Sequence, residues 1–258
     1  MMEFLALFAW TPFLLVFTRM LTFVTTFPLF SLTAFQARTK ILFALLLTIL
    51  LFPLLPYGQW RLPTEFFALA FLVAKESLVG FLMGFITGII FRTVEFMGEL
   101  IGYQAGFSFS RVVDPTSGEQ TSLLSLFATF YYMAIFLALD GHYYLIWGMK
   151  ESFFFIAPGA STLTAPTIKL LSSLLTEMFV TAIRIGAPAL VSLIFVDITL
   201  SLMGRVAPKL QIFALSFPVK IGIALISFAA LLSLSVPLWE RMTHSIPSLL
   251  SRFFETVK

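Results

Sequence analysis

Cysteine is absent from the 258 residues, and histidine occurs twice, at His142 and His244. A chain without thiols has no disulfide framework, no thiolate metal site and no cysteine nucleophile. Two histidines make no imidazole cluster. Charge is the next scarcity: 11% of the residues are Asp, Glu, Lys or Arg, where a soluble domain carries about 25%. The net charge of +3 is spread over single basic residues, with Arg38/Lys40 and Arg205/Lys209 as the closest pairs. That pattern offers no basic patch for nucleic acid. The strings GxSxG, HExxH and the phosphate-binding loop do not occur. Asp140 and His142 invite a catalytic dyad, but residues two apart diverge on a helix. An enzyme is not expected, nor a cofactor.

What the chain has is apolar side chain: 59% of residues are hydrophobic and the mean hydropathy is +1.00. A soluble fold of this size cannot bury so much apolar surface behind so little charge, so the class is integral or membrane-derived. Apolar runs fall at about 4–34, 41–57, 66–91, 122–139, 170–202 and 212–238, several reaching the roughly 20 residues of a spanning helix. The expectation is an all-α fold of membrane-type helical hairpins, with about six long apolar helices. The first run lacks a basic leader and follows Glu3, so it reads as an uncleaved span rather than a signal peptide. The stretch 143–157 is shorter and charged, and reads as an interfacial or partner-facing helix.

Prolines punctuate the runs. Pro12 and Pro28 interrupt the first, and Pro53 and Pro56 close the second. Pro188 and Pro218 are expected to kink late helices. Pro158 and Pro166 frame a polar linker, the best candidate for an internal boundary. Basic residues do not orient the chain. Arg38, Lys40, Arg92, Arg111, Arg205 and Lys209 fall to one side. Arg61, Lys150, Lys169, Arg241, Arg252 and Lys258 fall to the other, and Arg19, Lys75, Arg184 and Lys220 lie within spans. A tie between loops departs from the bias a conventional polytopic protein shows.

Two glycine ladders stand out. Gly80, Gly84 and Gly88 recur at every fourth residue, as do Gly98, Gly102 and Gly106. On a helix each ladder is a smooth groove that lets a second helix approach closely, from the same chain or from a neighbouring subunit. Charges within apolar runs need partners or water. Lys75 and Glu76 are adjacent, Glu95 and Glu99 share a helix face, and Arg92 sits one turn before Glu95. Arg184 and Asp197 lie in the fifth run. Such groups could serve as proton relays, or could cap helix ends and pair between subunits.

Gly98 to Gln120 is the irregular stretch of the chain. After Gly106, the alternation Phe107-Ser108-Phe109-Ser110 is extended rather than helical. Asp114-Pro115 disfavours helix at 114, and Asp114 suits an N-cap with Pro115 behind it. Thr116 to Glu119 and Ser117 to Gln120 both fit a capping box, so a helix is expected to start between 114 and 118. Non-helical backbone at membrane depth is tolerated only inside protein or along a water-filled cavity. Phe107, Phe109, Val112 and Val113 would form a hydrophobic constriction in a cavity, or would pack in a core as an ordinary re-entrant loop.

The string GELIGYQAGFSFSRVVDPTSGEQ, followed at family spacing by LALDGHYYLIWGMKESF and RVAPKLQIFALSFPVK, resembles the FliR family, the flagellar branch of the type III secretion export-gate proteins. The resemblance covers nearly the whole chain. Asp140 stands where the family commonly has Asn, and Gln211 and Ser216 stand where Asn and Gly are common. Tyr103-Gln104-Ala105-Gly106 fits the flagellar rather than the virulence branch.

The resemblance implies a FliP-like helical region over residues 1–160 and a FliQ-like hairpin with a C-terminal tail over 161–258, joined in the linker near 158–166. It implies FliP and FliQ as partners, FlhB and FlhA as neighbours, membrane lipid as surroundings and unfolded flagellar export substrates as cargo. The place it implies is the inner (cell) membrane, in the flagellar basal body, with the assembled gate held largely above the membrane plane. The central loop, about 106–118, would close the export channel. Phe107, Phe109, Val112 and Val113 would be its plug, and Gly106, Asp114, Pro115 and Gly118 its hinges and turn. Gly80, Gly84, Gly88, Gly98 and Gly102 would pack helices. Phe213, Phe217, Pro218 and Lys220 would form an inter-subunit motif. The competing expectation is a secondary transporter that uses Arg184, Asp197, Glu95 and Glu99.

Overall fold

The computed structural model describes residues 2–31, 36–60, 65–107, 122–160, 164–206 and 212–257. Among them no strand occurs. The helices are α1 (Met2–Thr26), α2 (Pro28–Ser31), α3 (Ala37–Leu51), α4 (Phe66–Ala105) and α5 (Leu123–Ala138). They continue as α6 (Gly141–Phe155), α7 (Ala165–Val206), α8 (Ile212–Leu234), α9 (Val236–His244) and α10 (Ile246–Val257). Four described helices are long and apolar enough to cross a membrane: Ala37–Leu54, Phe66–Ala105, Ala165–Val206 and Leu215–Leu234. A fifth span results if α5 and α6 are counted as one broken helix. The expected figure of about six is therefore approximate.

Pro12, Pro188 and Pro218 all lie inside their helices, and none ends one. Pro12 thus does not interrupt the first run. In apolar surroundings a carbonyl freed by proline has no water to turn to, which favours keeping the helix around it. Pro28 instead opens α2, where its missing N–H costs nothing. The break between α5 and α6 falls at Asp140, which takes a left-handed conformation with φ 56°. Asn and Asp are the side chains that tolerate this region, so Asp140 suits the break.

The chain forms two compact units. One comprises Met1–Ile89, Asp140–Leu174 and His244–Lys258; the other comprises Ile90–Leu139 and Leu175–Thr243. In the first unit α3 packs along α1, and α10 packs along α6. The inward face of α1 reads Leu15, Val16, Arg19, Met20, Phe23 and Val24, with Phe27 just past its end, all buried. This is the three-and-four spacing of one helix stripe, with an arginine in its middle.

The glycines explain how that arginine is tolerated. A Cβ at Gly80 would collide with Thr22 Oγ1 and the Arg19 carbonyl. At Gly84 it would lie 2.9 Å from the Phe23 carbonyl oxygen, and at Gly88 2.9 Å from Pro28 Cδ. The first ladder therefore lies backbone to backbone on α1 and the start of α2. Glu76 stands on the same four-residue row, one turn before Gly80, so the close approach delivers its carboxylate to Arg19.

Arg19 Nε donates to Glu76 Oε2 at 2.6 Å, with side chains 2% and 0% exposed. Nη1 donates to the Ser152 carbonyl at 3.0 Å and to its hydroxyl at 3.1 Å, and Nη2 to the Ile156 carbonyl at 3.1 Å. The guanidinium lies 4.0 Å from the centre of the Phe153 ring. The second Glu76 oxygen accepts the Gly159 N–H at 3.0 Å, and Lys75 Nζ donates to the Gly159 carbonyl at 3.0 Å. Gly159 needs its φ of +84° to make that turn. A buried ion pair is tolerable when its remaining donors and acceptors are filled in this way.

Removing one member of such a pair strands the other without compensation. Arg19→Ala is expected to lose about 3–5 kcal/mol, read as thermal unfolding by circular dichroism in detergent. The double variant Arg19→Met/Glu76→Leu should lose less than either single change. The ladder gives a second test. Gly80→Ala forces a Cβ against a backbone carbonyl and should cost about 1–3 kcal/mol. Gly222 lies inside α8, where an added methyl would meet nothing within 4 Å among the described residues. It is the control, and Gly222→Ala should gain about 0.5–1 kcal/mol.

Candidate functional site: the two feet of the central loop

Helix α4 ends at Ala105, in the second unit. The Phe107 N–H donates to the Gly102 carbonyl at 3.0 Å, and the Gly106 N–H to the Tyr103 carbonyl at 3.1 Å. Gly106 between them has φ +93°. This is the Schellman ending of a helix, in which a left-handed residue turns the chain out and satisfies the last carbonyls. Gly106 thus closes the second ladder as the terminator of α4.

Its missing side chain also makes room. A Cβ there would lie 3.2 Å from Phe217 Cε1 and 3.3 Å from Cδ1. Phe217 and Lys220 are one turn apart on α8, in the Phe-Pro-Val-Lys string. Lys220 Nζ reaches Asp197 Oδ1 of α7 at 2.7 Å, their side chains 18% and 41% exposed. The other Asp197 oxygen accepts Gln104 Nε2 at 3.0 Å. Both carboxylate oxygens are therefore engaged, one by α8 and one by the last turn of α4.

The chain returns on the same helix. Ser122 caps α5, its hydroxyl accepting the Ser125 N–H at 3.1 Å. Its own N–H donates to Glu99 Oε2 at 2.9 Å. The Ser125 hydroxyl donates to the Glu95 carbonyl at 2.8 Å. A Cβ at Gly98 would lie 2.6 Å from Ser125 Cα, and one at Gly102 would lie 2.5 Å from Ser122 Oγ. Both feet of the segment therefore stand on the last turns of α4, with Gly98 and Gly102 giving the close seat for the second foot.

Of the residues singled out from sequence, Gly98, Gly102, Gly106, Phe217 and Lys220 meet here. Phe107 is half-buried just past the helix end, and Pro218 is exposed. Phe213 lies in the first turn of α8. Phe109, Val112, Val113, Asp114, Pro115 and Gly118 lie outside the described residues, as do both capping boxes and the expected helix start at 114–118. The residues of the transporter expectation serve separate contacts. Glu95 pairs with Arg92 at 2.7 Å, Glu99 holds Ser122, and Arg184 is exposed. Arg184 stands thirteen residues from Asp197, roughly 20 Å along the helix.

Sequence reading overlooked Gln104 and Ser122, and it did not pair Asp197 with Lys220. A signal for the pair was present. The two are nearly equidistant from residue 209, as expected for opposed positions on an antiparallel α7–α8 hairpin. The Ser192–Ser227 hydroxyl contact at 3.2 Å has the same register. Ser122 was hidden behind two stronger capping strings upstream.

Comparison with known proteins gives these feet their setting. The family model described as bacterial export proteins, family 1, matches residues 10–246. The chain is similar to the flagellar biosynthetic protein FliR of Bacillus subtilis (strain 168), 30% identical over 86% of each chain. It is 28% identical to the protein of that name from Pectobacterium carotovorum subsp. carotovorum, over 91% of this chain and 89% of the other. With that from Escherichia coli (strain K12) it shares 28%, over 90% and 88%. A match across this much of the chain makes the protein a member of the bacterial export proteins, family 1.

Proposed function

We propose that the chain is a subunit of the flagellar type III protein export gate, and that the segment between Gly106 and Ser122 closes its channel. The relatives named as flagellar biosynthetic proteins support the flagellar setting. The observation that carries the gating reading is the pair of feet. A segment rich in Phe and Val leaves α4 at a Schellman glycine and returns to the same few turns at a capped serine. Its two ends are therefore held by one helix, α4, through Gly106 and through Ser122.

In this reading Phe107, Phe109, Val112 and Val113 narrow the channel to an apolar constriction that excludes ions by dewetting. Gly106 and Gly118 are the hinges, and Asp114-Pro115 the turn. An arriving unfolded export substrate displaces the segment. FliP and FliQ complete the channel, with FlhB and FlhA adjoining it in the basal body at the inner membrane. Residues 1–160 correspond to a FliP-like subunit and 161–258 to a FliQ-like hairpin, built from α7 and α8. Exposed apolar residues on α7, among them Phe195, Ile198 and Leu202, are surfaces of the kind that partners or lipid cover.

The test is deletion of 107–113 in the gate co-expressed with FliP and FliQ and reconstituted in vesicles. Ion leakage should rise by on the order of ten-fold or more as the dewetted barrier is lost. Unchanged leakage with assembly intact overturns the reading. A chain that is stable alone and moves a small solute would overturn it in favour of a transporter.

A further inference from the structure

We infer that Gln104, Asp197 and Lys220 form a latch that holds the outgoing foot of the central loop, so that the firmness of the closed state is set on the α7–α8 hairpin. This rests on the gate reading proposed above. Three helices meet at one carboxylate. Lys220 of α8 takes one oxygen at 2.7 Å, and Gln104 of α4 takes the other at 3.0 Å. Gln104 is two residues before the glycine at which α4 ends. Phe217, one turn before Lys220, sits against that same glycine at 3.2 Å from where its Cβ would be. The hairpin therefore grips the end of α4 twice, by a ring on Gly106 and by a carboxylate on Gln104.

The Arg19–Glu76 and Asp197–Lys220 pairs differ in a way that suits different tasks. Arg19–Glu76 is sealed from solvent with all three guanidinium nitrogens hydrogen-bonded, and separating such a pair leaves an uncompensated buried charge. Asp197 and Lys220 are 41% and 18% exposed, and an ion pair that is not sealed in this way is weaker and cheaper to open. When the loop is pulled, the strain passes through Gly106 into the last turn of α4 and draws Gln104 off Asp197 and Gly106 off Phe217. The pair then loses its third member while α7 and α8 keep their hairpin. Both contacts re-form when the strain is released.

The experiment uses the gate assembled with FliP and FliQ in vesicles. It compares Asp197→Asn, Lys220→Met, the charge swap Asp197→Lys/Lys220→Asp, and the milder Gln104→Met. Two readouts are taken: ion leakage, and tryptic cleavage after Arg111, the one basic residue in the sequence between Gly106 and Ser122. Asp197→Asn and Lys220→Met should each raise both readouts about five-fold, the population shift that follows from losing one partly exposed charged contact. Gln104→Met should raise them about two-fold, and the swap should return them to near the starting values.

Cleavage after Arg184 and Arg205 should not change. Equal rises at all three sites mean lost packing and overturn the latch. So does unchanged Arg111 cleavage, or a swap that fails to restore it. If a single-charge variant does not assemble, Gln104→Met carries the test. The 107–113 deletion serves as a control for the gate itself. If the deletion leaks and the variants do not, the latch fails and the gate stands. If the deletion does not leak, the gate fails, and Arg111 cleavage in the point variants still decides whether the hairpin holds the foot.

Discussion

The Arg19–Glu76 ion pair is the constraint around which the first unit is arranged. A guanidinium in the middle of an apolar helix stripe has to be neutralised and filled, or the stripe cannot be buried. Everything near it serves that requirement. The glycines after Glu76 allow α4 to lie directly on α1, which brings the carboxylate within 2.6 Å. The end of α6 supplies the Ser152 and Ile156 carbonyls, and the turn at Gly159 supplies an N–H to the second carboxylate oxygen. One charge pair thus fixes the relative height of α1, α4, α6 and the turn after it.

The second unit uses the same elements with a different balance. Gly98 and Gly102 again seat one helix end closely on α4, and a charged group again joins separate helices. Here the carboxylate is partly exposed, and its contacts lie beside a helix terminus rather than mid-helix. A fully buried network holds its members in one arrangement, whereas a half-exposed one permits a second at modest cost. The end of α4 is held by such a half-exposed contact.

Much of this was legible in the residues. Composition specified the helical class, the four-residue glycine spacing located both close helix contacts, and Gly106 marked the end of α4. Arg19, Glu76, Asp197 and Lys220 were each visible as charges in apolar runs. Their pairings were harder. Asp197 and Lys220 belong to one hairpin, so counting back from its turn opposes them. Arg19 and Glu76 are 57 positions apart, and only the packing of α4 on α1 brings them together. Prolines misled in the other direction. Pro12 suggested an interruption because proline breaks exposed helices, but a helix with no water to compete for its carbonyls runs on.

That contrast leads to the general logic of the chain. On α5, Leu124, Ala128, Tyr132 and Phe136 face inward while Leu126, Phe127, Phe130 and Leu137 are exposed, so hydrophobicity hardly distinguishes one face from the other. Apolar burial is non-directional, and in a chain this apolar it cannot choose which face or which height of a helix meets its neighbour. Small residues and isolated polar groups can, because each tolerates few arrangements: a glycine row admits a helix only along its groove, and a buried charge only where its partner stands. Tyr132 shows this on a small scale. Its ring meets Phe91 edge-on at 4.7 Å, a contact several orientations would satisfy, but its hydroxyl finds Thr243 Oγ1 at 3.0 Å in one. The greasy bulk supplies cohesion, and the sparse glycines, hydroxyls and charges supply the address.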